Sequence, residues 1–577
     1  QIINRSSLVA DALKQRLAGL DPVGRLDNAR LVLHSGDETQ AKPVSFDFSA
    51  DLHRVGVSPW HGAPGIEGVS GLLQLNAEGG RVDFTSERFS LNFPKLYSQG
   101  WQFDRARGVV RWEMGAQGVR VISQHLQIED EKLRADGRFS LDLPAVSAPD
   151  SLEQEPSHKQ QGRLVLMIGM ERADASLAPL FVPDKIVSQP LHHWLQTSVI
   201  SGQIARGGVL VDTPLRMSDD VSSATVQLFF QADQAEVRYQ PEWPAVTQSN
   251  PFILIKGSEL LVDIPRGQLL GTALSQARVY LPAHSSVLQI DADLDGPAAD
   301  IRTVLVESPL REVLGEALKP WQLDGVSHSQ LALGIDLQHP QQSRIRIEST
   351  LSDGLLSNTR LGLDFSQLAG TLRYHEREGL SSERISGSLL GQPLQADITT
   401  EPFFQGTRTS IRGSGWVAID PLNQWLQQPL LQHLEGETQY QARLDICPST
   451  PGCSNLRIES QLRGVTAQFP VPFAKTAEQL QPLSIDISLA ENPSLRMRYA
   501  QQLDFAMPIS SPFSGAELVF GSDQPPAVSR GDGLWIRGHL DEAGVAPWQT
   551  FISQTFLHPD PSVTRSTTDS PDPAALL

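Results

Sequence analysis

Cys447 and Cys453 are the only thiols in the chain, and Pro448, Ser449, Thr450, Pro451 and Gly452 lie between them as a turn-forming insert flanked by alternating runs. That layout predicts a disulfide across the mouth of a hairpin, a bond that persists in an oxidising compartment such as the periplasm or the extracellular space. The alternative is two unpaired thiols in a loop. A metal site is not expected, because two thiolates with no nearby histidine do not complete a tetrahedral shell. His192 and His193 are adjacent in an expected helix, where neighbours point in different directions, so they read as surface or packing residues. Glu129, Asp130 and Glu131, and Asp291, Asp293 and Asp295, have the residue types for cation binding or paired-carboxylate chemistry. The strand phase of the second set puts it on a solvated face, which favours a structural reading. The chain has no Gly-x-Ser-x-Gly elbow, no Gly-x4-Gly-Lys-Ser/Thr loop, no His-Glu-x-x-His and no Gly-x-Gly-x-x-Gly between strand and helix. The residues therefore point away from an enzyme and toward no metal and no cofactor.

What must position any site is a set of strands. Leu288-Gln289-Ile290-Asp291-Ala292-Asp293-Leu294-Asp295 alternates with period two, as do Arg138 to Leu143, Arg344 to Glu348, Gln441 to Ile446, Leu456 to Ser460 and Leu483 to Leu489. Such runs are strands of antiparallel sheets with one face in water. The punctuation is short, as in Glu78-Gly79-Gly80, Ala135-Asp136-Gly137 and Ser352-Asp353-Gly354, and predicts consecutive hairpins rather than helical crossovers. Strands of 6 to 8 residues reach only ~20 to 26 Å, so so many of them are expected to grow an elongated sheet along its hydrogen-bonding axis.

At one domain per ~150 residues, 577 residues correspond to about four globular domains or one repetitive architecture of that size. Apolar residues at 40%, charged residues at 20%, 45 Gly and 40 Pro describe a folded, turn-rich chain. With 66 acidic against 47 basic residues the net charge is -19, which repels nucleic acid and anionic lipid headgroups. No apolar run approaches the roughly 18 residues of a membrane-spanning helix. The chain opens Gln1-Ile2-Ile3-Asn4 without a leader pattern, and we read it as a segment excised from something longer.

Five tryptophans with proline and mostly glycine neighbours, Trp60, Trp194, Trp321, Trp425 and Trp548, mark short helices between strand blocks. Together with a Ser-capped amphipathic start, the helix units are expected near 6-18, 58-65, 176-200, 308-324, 420-435 and 545-556. The clearest pairs Asp420 as N-cap with Pro421 at the first helical position. Residues 1-555 thus read as one continuous repetitive β segment, with 145-162 a mobile loop and 558-577 a disordered tail.

The apolar face of such a sheet must be covered. A second sheet, closure of the sheet on itself, or a non-protein ligand would each do it. A sheet curled into a U-shaped trough would present a greasy channel suited to acyl chains. The inward register on this reading is Phe139, Leu141, Leu143, Leu164, Leu166, Ile168, Leu288, Ile290, Leu294, Leu331, Leu333, Ile335, Ile345, Ile347, Leu444, Ile446, Ile458, Ile485 and Ile487, none of them ionisable. An ordinary β-sandwich would satisfy the same pattern.

Leu180-Phe181-Val182-Pro183, Leu191-His192-His193-Trp194-Leu195, Ile200 to Ile204 and Gly207-Gly208-Val209-Leu210 together resemble the helix-then-strand module of the AsmA-like superfamily, in particular its YhdP-type branch. Leu462-Arg463-Gly464-Val465 leading to Phe469-Pro470-Val471-Pro472-Phe473-Ala474-Lys475 is similar to that branch's recurrent segment, with Phe469 and Phe473 where Leu is more usual. Gly415-Trp416-Val417 before Asp420, and Gly71 to Pro94 with Leu91 to Tyr97, fit the same pattern. The resemblance spans residues 1 to about 555. It implies a mainly β, elongated, curled antiparallel sheet forming a hydrophobic groove, and a non-enzymatic passage for phospholipid between inner and outer membranes that supports outer-membrane lipid homeostasis. It also implies a monomer in the periplasm of a Gram-negative bacterium, whose partners are acyl chains and, through other parts of the full-length protein, both membranes. Family members are anchored to the inner membrane by an N-terminal helix that is not present in this chain. The competing expectation is an envelope scaffold or assembly factor for outer-membrane proteins working through exposed sheet edges. An enzyme or lectin on a β-solenoid is the third and weakest.

Overall fold

The computed structural model describes residues 20–34, 45–59, 64–115, 118–144, 162–185, 187–214, 224–307, 319–404, 406–447, 450, 452–490, 492–500, 502–509, 515–521, 524–528 and 533–557. The expected helix at 6-18, Trp60 with the middle of 58-65, all of the loop 145-162 except Gly162, and the tail 558-577 lie outside these residues. The described chain is mainly β, nearly all antiparallel, with few and short helices, as the alternation and turn spacing predict. It divides into two compact units, Gln1–Leu270 with Gln276–Gln289, and Gly271–Ser275 with Ile290–Leu577.

In the first unit the strands are β1 (Val23–His34), β2 (Ser45–Val57), β3 (Gly65–Asn76), β4 (Gly79–Asn92), β5 (Trp101–Gly115), β6 (Gly118–Asp130), β7 (Leu133–Pro144), β8 (Arg163–Asp174), β9 (Val199–Pro214), β10 (Thr225–Val237), β11 (Val246–Ser249), β12 (Phe252–Lys256), β13 (Glu259–Ile264) and β14 (Gly267–Leu269). The residues of β15 (Thr272–Leu281) and β16 (Val287–Pro297) are shared out between the units. Each strand from β1 to β10 pairs antiparallel with the next, and the sheet continues through β12, β13 and the first-unit part of β15.

The second unit holds β17 (Gln322–Asp336), β18 (Arg344–Asn358), β19 (Leu363–His375), β20 (Gly379–Leu389), β21 (Gln392–Phe403), β22 (Gly406–Ala418), β23 (Leu434–Ile446), β24 (Asn455–Ser460), β25 (Val465–Ala467), β26 (Leu483–Ser488), β27 (Ser494–Tyr499), β28 (Leu503–Pro508), β29 (Ala516–Phe520) and β30 (Leu534–Gly538). Pairing is again consecutive, except that β24 pairs with β26, β25 turns aside onto the start of β23, and β30 joins β29 in parallel.

Many strands are longer than the expected 6 to 8 residues, up to the 16 of β9. In several of them bulges account for the difference. Asn28, Arg54, Gln234, Asp353 and Gln367 sit at positive φ inside strands, at points where the register slips. A bulge breaks the alternation and bends the strand, so one long strand reads in sequence as two short ones. It also leaves backbone groups out of the ladder. Arg54 N–H donates to Ser70 Oγ at 3.1 Å, and Ser70 N–H donates to Ser86 Oγ at 3.0 Å. Ser86 is 1% exposed, so no water can replace its hydroxyl. Ser86→Ala is expected to destabilise the protein by about 1–3 kcal/mol, the cost of a buried donor left unmet. Urea unfolding checks this against Ser86→Thr, which keeps the acceptor; equal stability of wild type and Ser86→Ala would refute the assignment.

In the first unit the core sits toward the helix-bearing end of the sheet. Phe84, Phe89, Phe103, Ala106, Leu133, Ala135 and Ala173 are buried there, and Leu177 and Phe181 of the turn and helix α1 (Ala178–Phe181) pack on them. Trp101 Nε1 donates to Leu180 O at 3.2 Å and Tyr97 Oη to Phe181 O at 3.0 Å. Burial pushes the Tyr97 hydroxyl up to about 12. Helix α2 (Gln189–Ser198) is held alike, Trp194 Nε1 donating to Tyr239 O at 2.9 Å. In the second unit the indoles of Trp425 and Trp548, on α4 (Ile419–Leu426) and α5 (Val545–Ile552), donate to Leu361 O at 2.6 Å and Val471 O at 3.1 Å. The tryptophan units are thus straps, in which an indole N–H satisfies a loop carbonyl while the ring stays half-buried or, for Trp194, exposed.

One helix detail differs from the sequence reading. Ala418, not Asp420, is the N-cap of α4, and Asp420 lies in the first turn without a capping bond. Helix α3 (Ala298–Glu307) precedes the unit expected at 308-324, of which 308–318 lie outside the described residues. Trp321 precedes β17, with its ring 5.9 Å from that of Phe365.

Candidate functional site

Directly paired residues of neighbouring strands share a face, so the registers can be followed across each sheet. In the first unit one row runs Leu52, Gly71, Phe84, Gly108, Leu126, Gly137, Ile168, Val209, Leu228, Ile255, Leu260 and Leu281. Nearer the hairpin tips a second runs Leu31, Phe48, Leu75, Gly80, Trp112, Val121, Leu141, Leu164 and Thr213. Between them Phe139, Leu166, Val211 and Val226 are consecutive partners. No ionisable side chain interrupts these rows.

The second unit repeats the arrangement. Ser327, Leu351, Gly370, Ile385, Ala396, Gly413, Ala442, Ile458, Ile485, Met497, Phe505, Leu518 and Ile536 form one row. Ile398, Ile411, Leu444, Leu456, Ile487, Leu495 and Met507 form the next. Leu331 opposes Ile347, and Leu333 opposes Ile345. The hydroxyls on this face are used internally. Ser327 Oγ donates to Gly296 O at 3.2 Å, Ser329 and Ser349 share a 2.8 Å bond, and Ser382 Oγ donates to Thr371 O at 2.8 Å.

The opposite faces carry the charge. Arg120–Asp142 at 2.5 Å, Arg163–Asp212 at 2.6 Å and Arg278–Asp263 at 2.7 Å tie strands of the first unit. Arg373–Glu348 at 3.0 Å, Arg457–Asp486 at 2.6 Å and Arg498–Asp504 at 2.7 Å do so in the second. The hydrogen bond from Arg163 holds the Asp212 carboxyl below the usual range, and that from Arg408 does the same for Glu401. Asp295 binds His328 at 2.6 Å on the side away from Ile290 and Leu294.

The structure places Phe139, Leu141, Leu164, Leu166 and Ile168 on the uncharged face of the first unit, and Leu331, Leu333, Ile345, Ile347, Leu444, Ile446, Ile458, Ile485 and Ile487 on that of the second. Ile335 follows in the phase of Leu333, and Leu288 and Ile290 alternate with exposed Gln289 and Asp291. Nearly all are half-buried: too shielded for a flat outer surface and too open for a covered core. Leu143, at 40% exposed, stands at the open end of β7, and Leu294, at 8%, is packed away. Sequence reading missed Phe48, Leu75, Trp112, Val121 and Val211 in the first unit and Ile411, Leu456, Leu495 and Met497 in the second. In Gly71-Leu72-Leu73-Gln74-Leu75 both phases hold leucine, so alternation alone does not choose a face.

Cys447 and Cys453 are joined, with Cα atoms 5.7 Å apart, between β23 and β24. Among the described residues no group of His, Cys, Asp and Glu is arranged to hold a metal ion, and no helix is long and apolar enough to cross a membrane.

A family model described as YhdP protein matches residues 1–575. The chain is 22% identical over 482 residues to the intermembrane phospholipid transporter YhdP of Escherichia coli (strain K12), a match covering 82% of this chain and 36% of that protein. The chain therefore spans little more than a third of the length of that relative. No solved structure matches.

Proposed function

The chain belongs to the YhdP protein family, and from that premise we propose that it is a section of a non-enzymatic conduit carrying phospholipid between the inner and outer membranes of a Gram-negative envelope. The observation that carries the reading is the uncharged face followed from strand to strand within each unit, with its charged counterpart outside. Acyl chains would lie along this face in a curled groove and slide between strands, because apolar contact is non-directional and scales with area removed from water. A half-buried leucine or isoleucine still has apolar area to give up to a chain lying on it. The lipid-lining role belongs to the residues placed on this face above, and no cofactor enters the reading. The proposed location is the periplasm, which suits a bonded Cys447–Cys453 pair.

A second reading, a scaffold that captures client strands, is favoured by one observation: on β30 Leu534, Trp535 and Ile536 are 58%, 49% and 61% exposed. An apolar edge of that kind invites strand addition.

A photo-crosslinking residue at Ile290, and separately at Asp291, in cells expressing the full-length protein separates the two. Phospholipid is expected at Ile290 and not at Asp291. Protein crosslinks at Ile290 with no lipid would overturn the conduit and promote the scaffold.

A further inference from the structure

The conduit reading says where acyl chains lie and leaves the headgroup without a place. In the first unit, at the tip of the β3–β4 hairpin, a cavity of about 570 Å3 is lined by residues from both faces of the sheet. Phe48, Leu75 and Trp112 reach it from the uncharged row. Arg30, Arg81 and Glu113 belong to the opposite face. Here the strand ends let one cavity touch both surfaces.

The charged members carry both signs. Arg30 and Arg81 lie in one cross-strand row through Ser49 and Gln74. Arg81 gives Asp83 two hydrogen bonds, Nε at 2.6 Å and Nη2 at 2.7 Å, and a guanidinium has five N–H donors, so others are left for a ligand. Asp47, Glu78 and Glu113 supply carboxylates in the same cavity. A purely anionic ligand would meet three carboxylates and a purely cationic one two guanidinium groups. A zwitterion meets both requirements: Arg forks suit phosphate oxygens, and carboxylates suit an ammonium. Trp112 adds an aromatic ring at the border between apolar and wet surroundings, a position indoles favour.

We propose that this cavity is a headgroup station for a zwitterionic phospho-amine lipid, with phosphate toward Arg30 and Arg81, ammonium toward Glu78 and Glu113, and acyl chains entering the uncharged face past Phe48, Leu75 and Trp112. The inference rests on the conduit reading and adds the class of headgroup to it.

The test uses full-length protein carrying a photo-crosslinker either at Gln74, between the two arginines, or at Leu141, on the uncharged face away from the cavity. Each is exposed to vesicles of phosphatidylethanolamine or phosphatidylglycerol with matched acyl chains. At Gln74 phosphatidylethanolamine is expected to crosslink at least fivefold more than phosphatidylglycerol, and Arg30→Ala to reduce that yield at least fivefold. Arg30 is exposed, so this substitution is expected to leave the fold intact. At Leu141 the two lipids are expected to crosslink equally, with or without Arg30→Ala. Equal yields of the two lipids at Gln74, or a yield indifferent to Arg30→Ala, overturns the station while lipid at Leu141 keeps the conduit. Competition at Gln74 by inorganic phosphate but not by glycerophosphoethanolamine would make the cavity a phosphate site and also overturn it. Absence of lipid at Leu141 would overturn the conduit itself.

Discussion

Aspartate introduced together at Ile290, Ile347 and Ile458 is expected to abolish phospholipid transfer by the full-length protein while leaving it folded. All three are half-buried on the uncharged side of their strands. Before cargo arrives, a carboxylate at such a site keeps much of its hydration, and the folding cost is modest. When an acyl chain covers the site that water is lost, and stripping a carboxylate of water costs several kcal/mol even after relaxation. At a factor of ten per 1.4 kcal/mol, one site lowers occupancy by more than tenfold and three in series by far more. The control adds the same charge to the other face: Gln289→Asp, Ala332→Asp and Ser414→Asp, at exposed positions, is expected to leave transfer unchanged. Reconstituted lipid transfer, or rescue of envelope integrity in cells lacking the protein, reads the difference. Normal transfer by the inner triple variant would sink the conduit, and equal loss in both triples would reduce the effect to net charge.

How much of this was legible beforehand depended on the strand. Where one phase is wholly polar, as in Arg344 to Glu348 or Leu456 to Ser460, alternation identified the strand and its uncharged side together, and register then set Ile345 opposite Leu333 and Ile458 opposite Ile485. Where bulges interrupt the phase, as at Arg54 and Gln234, strand length was underestimated, because two residues face one partner and the period-two count restarts. Bulge chemistry was not legible. Ser70 and Ser86 look like ordinary polar strand residues until the slip beside Arg54 shows which donors need their hydroxyls. The tryptophans stood out by their proline and glycine neighbours but were not legible as straps, since Trp425 and Leu361, or Trp548 and Val471, meet only through tertiary structure. The cavity at the β3–β4 tip was invisible for a similar reason: its lining comes from β1 to β5, and no local pattern announces that Arg30 and Arg81 share a row.

Arg537→Ala is expected to cost about 3 kcal/mol and to release β30 before the rest of the second unit unfolds. Glu517 on β29 is fully buried, and Arg537 Nε donates to its Oε1 at 2.7 Å while Ala527 N–H donates to Oε2 at 2.5 Å. Removing the guanidinium takes the Arg537 charge away from a carboxylate that is out of water, and breaking a buried pair costs about 3–5 kcal/mol. The lower figure applies because Arg537 keeps 28% of its side chain exposed and the Ala527 bond survives. The damage should be local. Among the described residues β30 pairs only with β29, in parallel, and has Leu534 and Ile536 largely in solvent, so little apolar burial holds it once the pair is gone. Hydrogen exchange should show lost protection at 534–538 with β17 to β24 unchanged, and urea unfolding should develop an early phase. Replacing both partners by Met is expected to recover most of the loss, since packed apolar groups of similar volume substitute well for a buried pair. Protection at β30 equal to wild type in Arg537→Ala would mean that the strand is held by something other than this pair. In that case the exposed Leu534, Trp535 and Ile536 would form a rigid edge, and strand capture there would gain weight against the conduit.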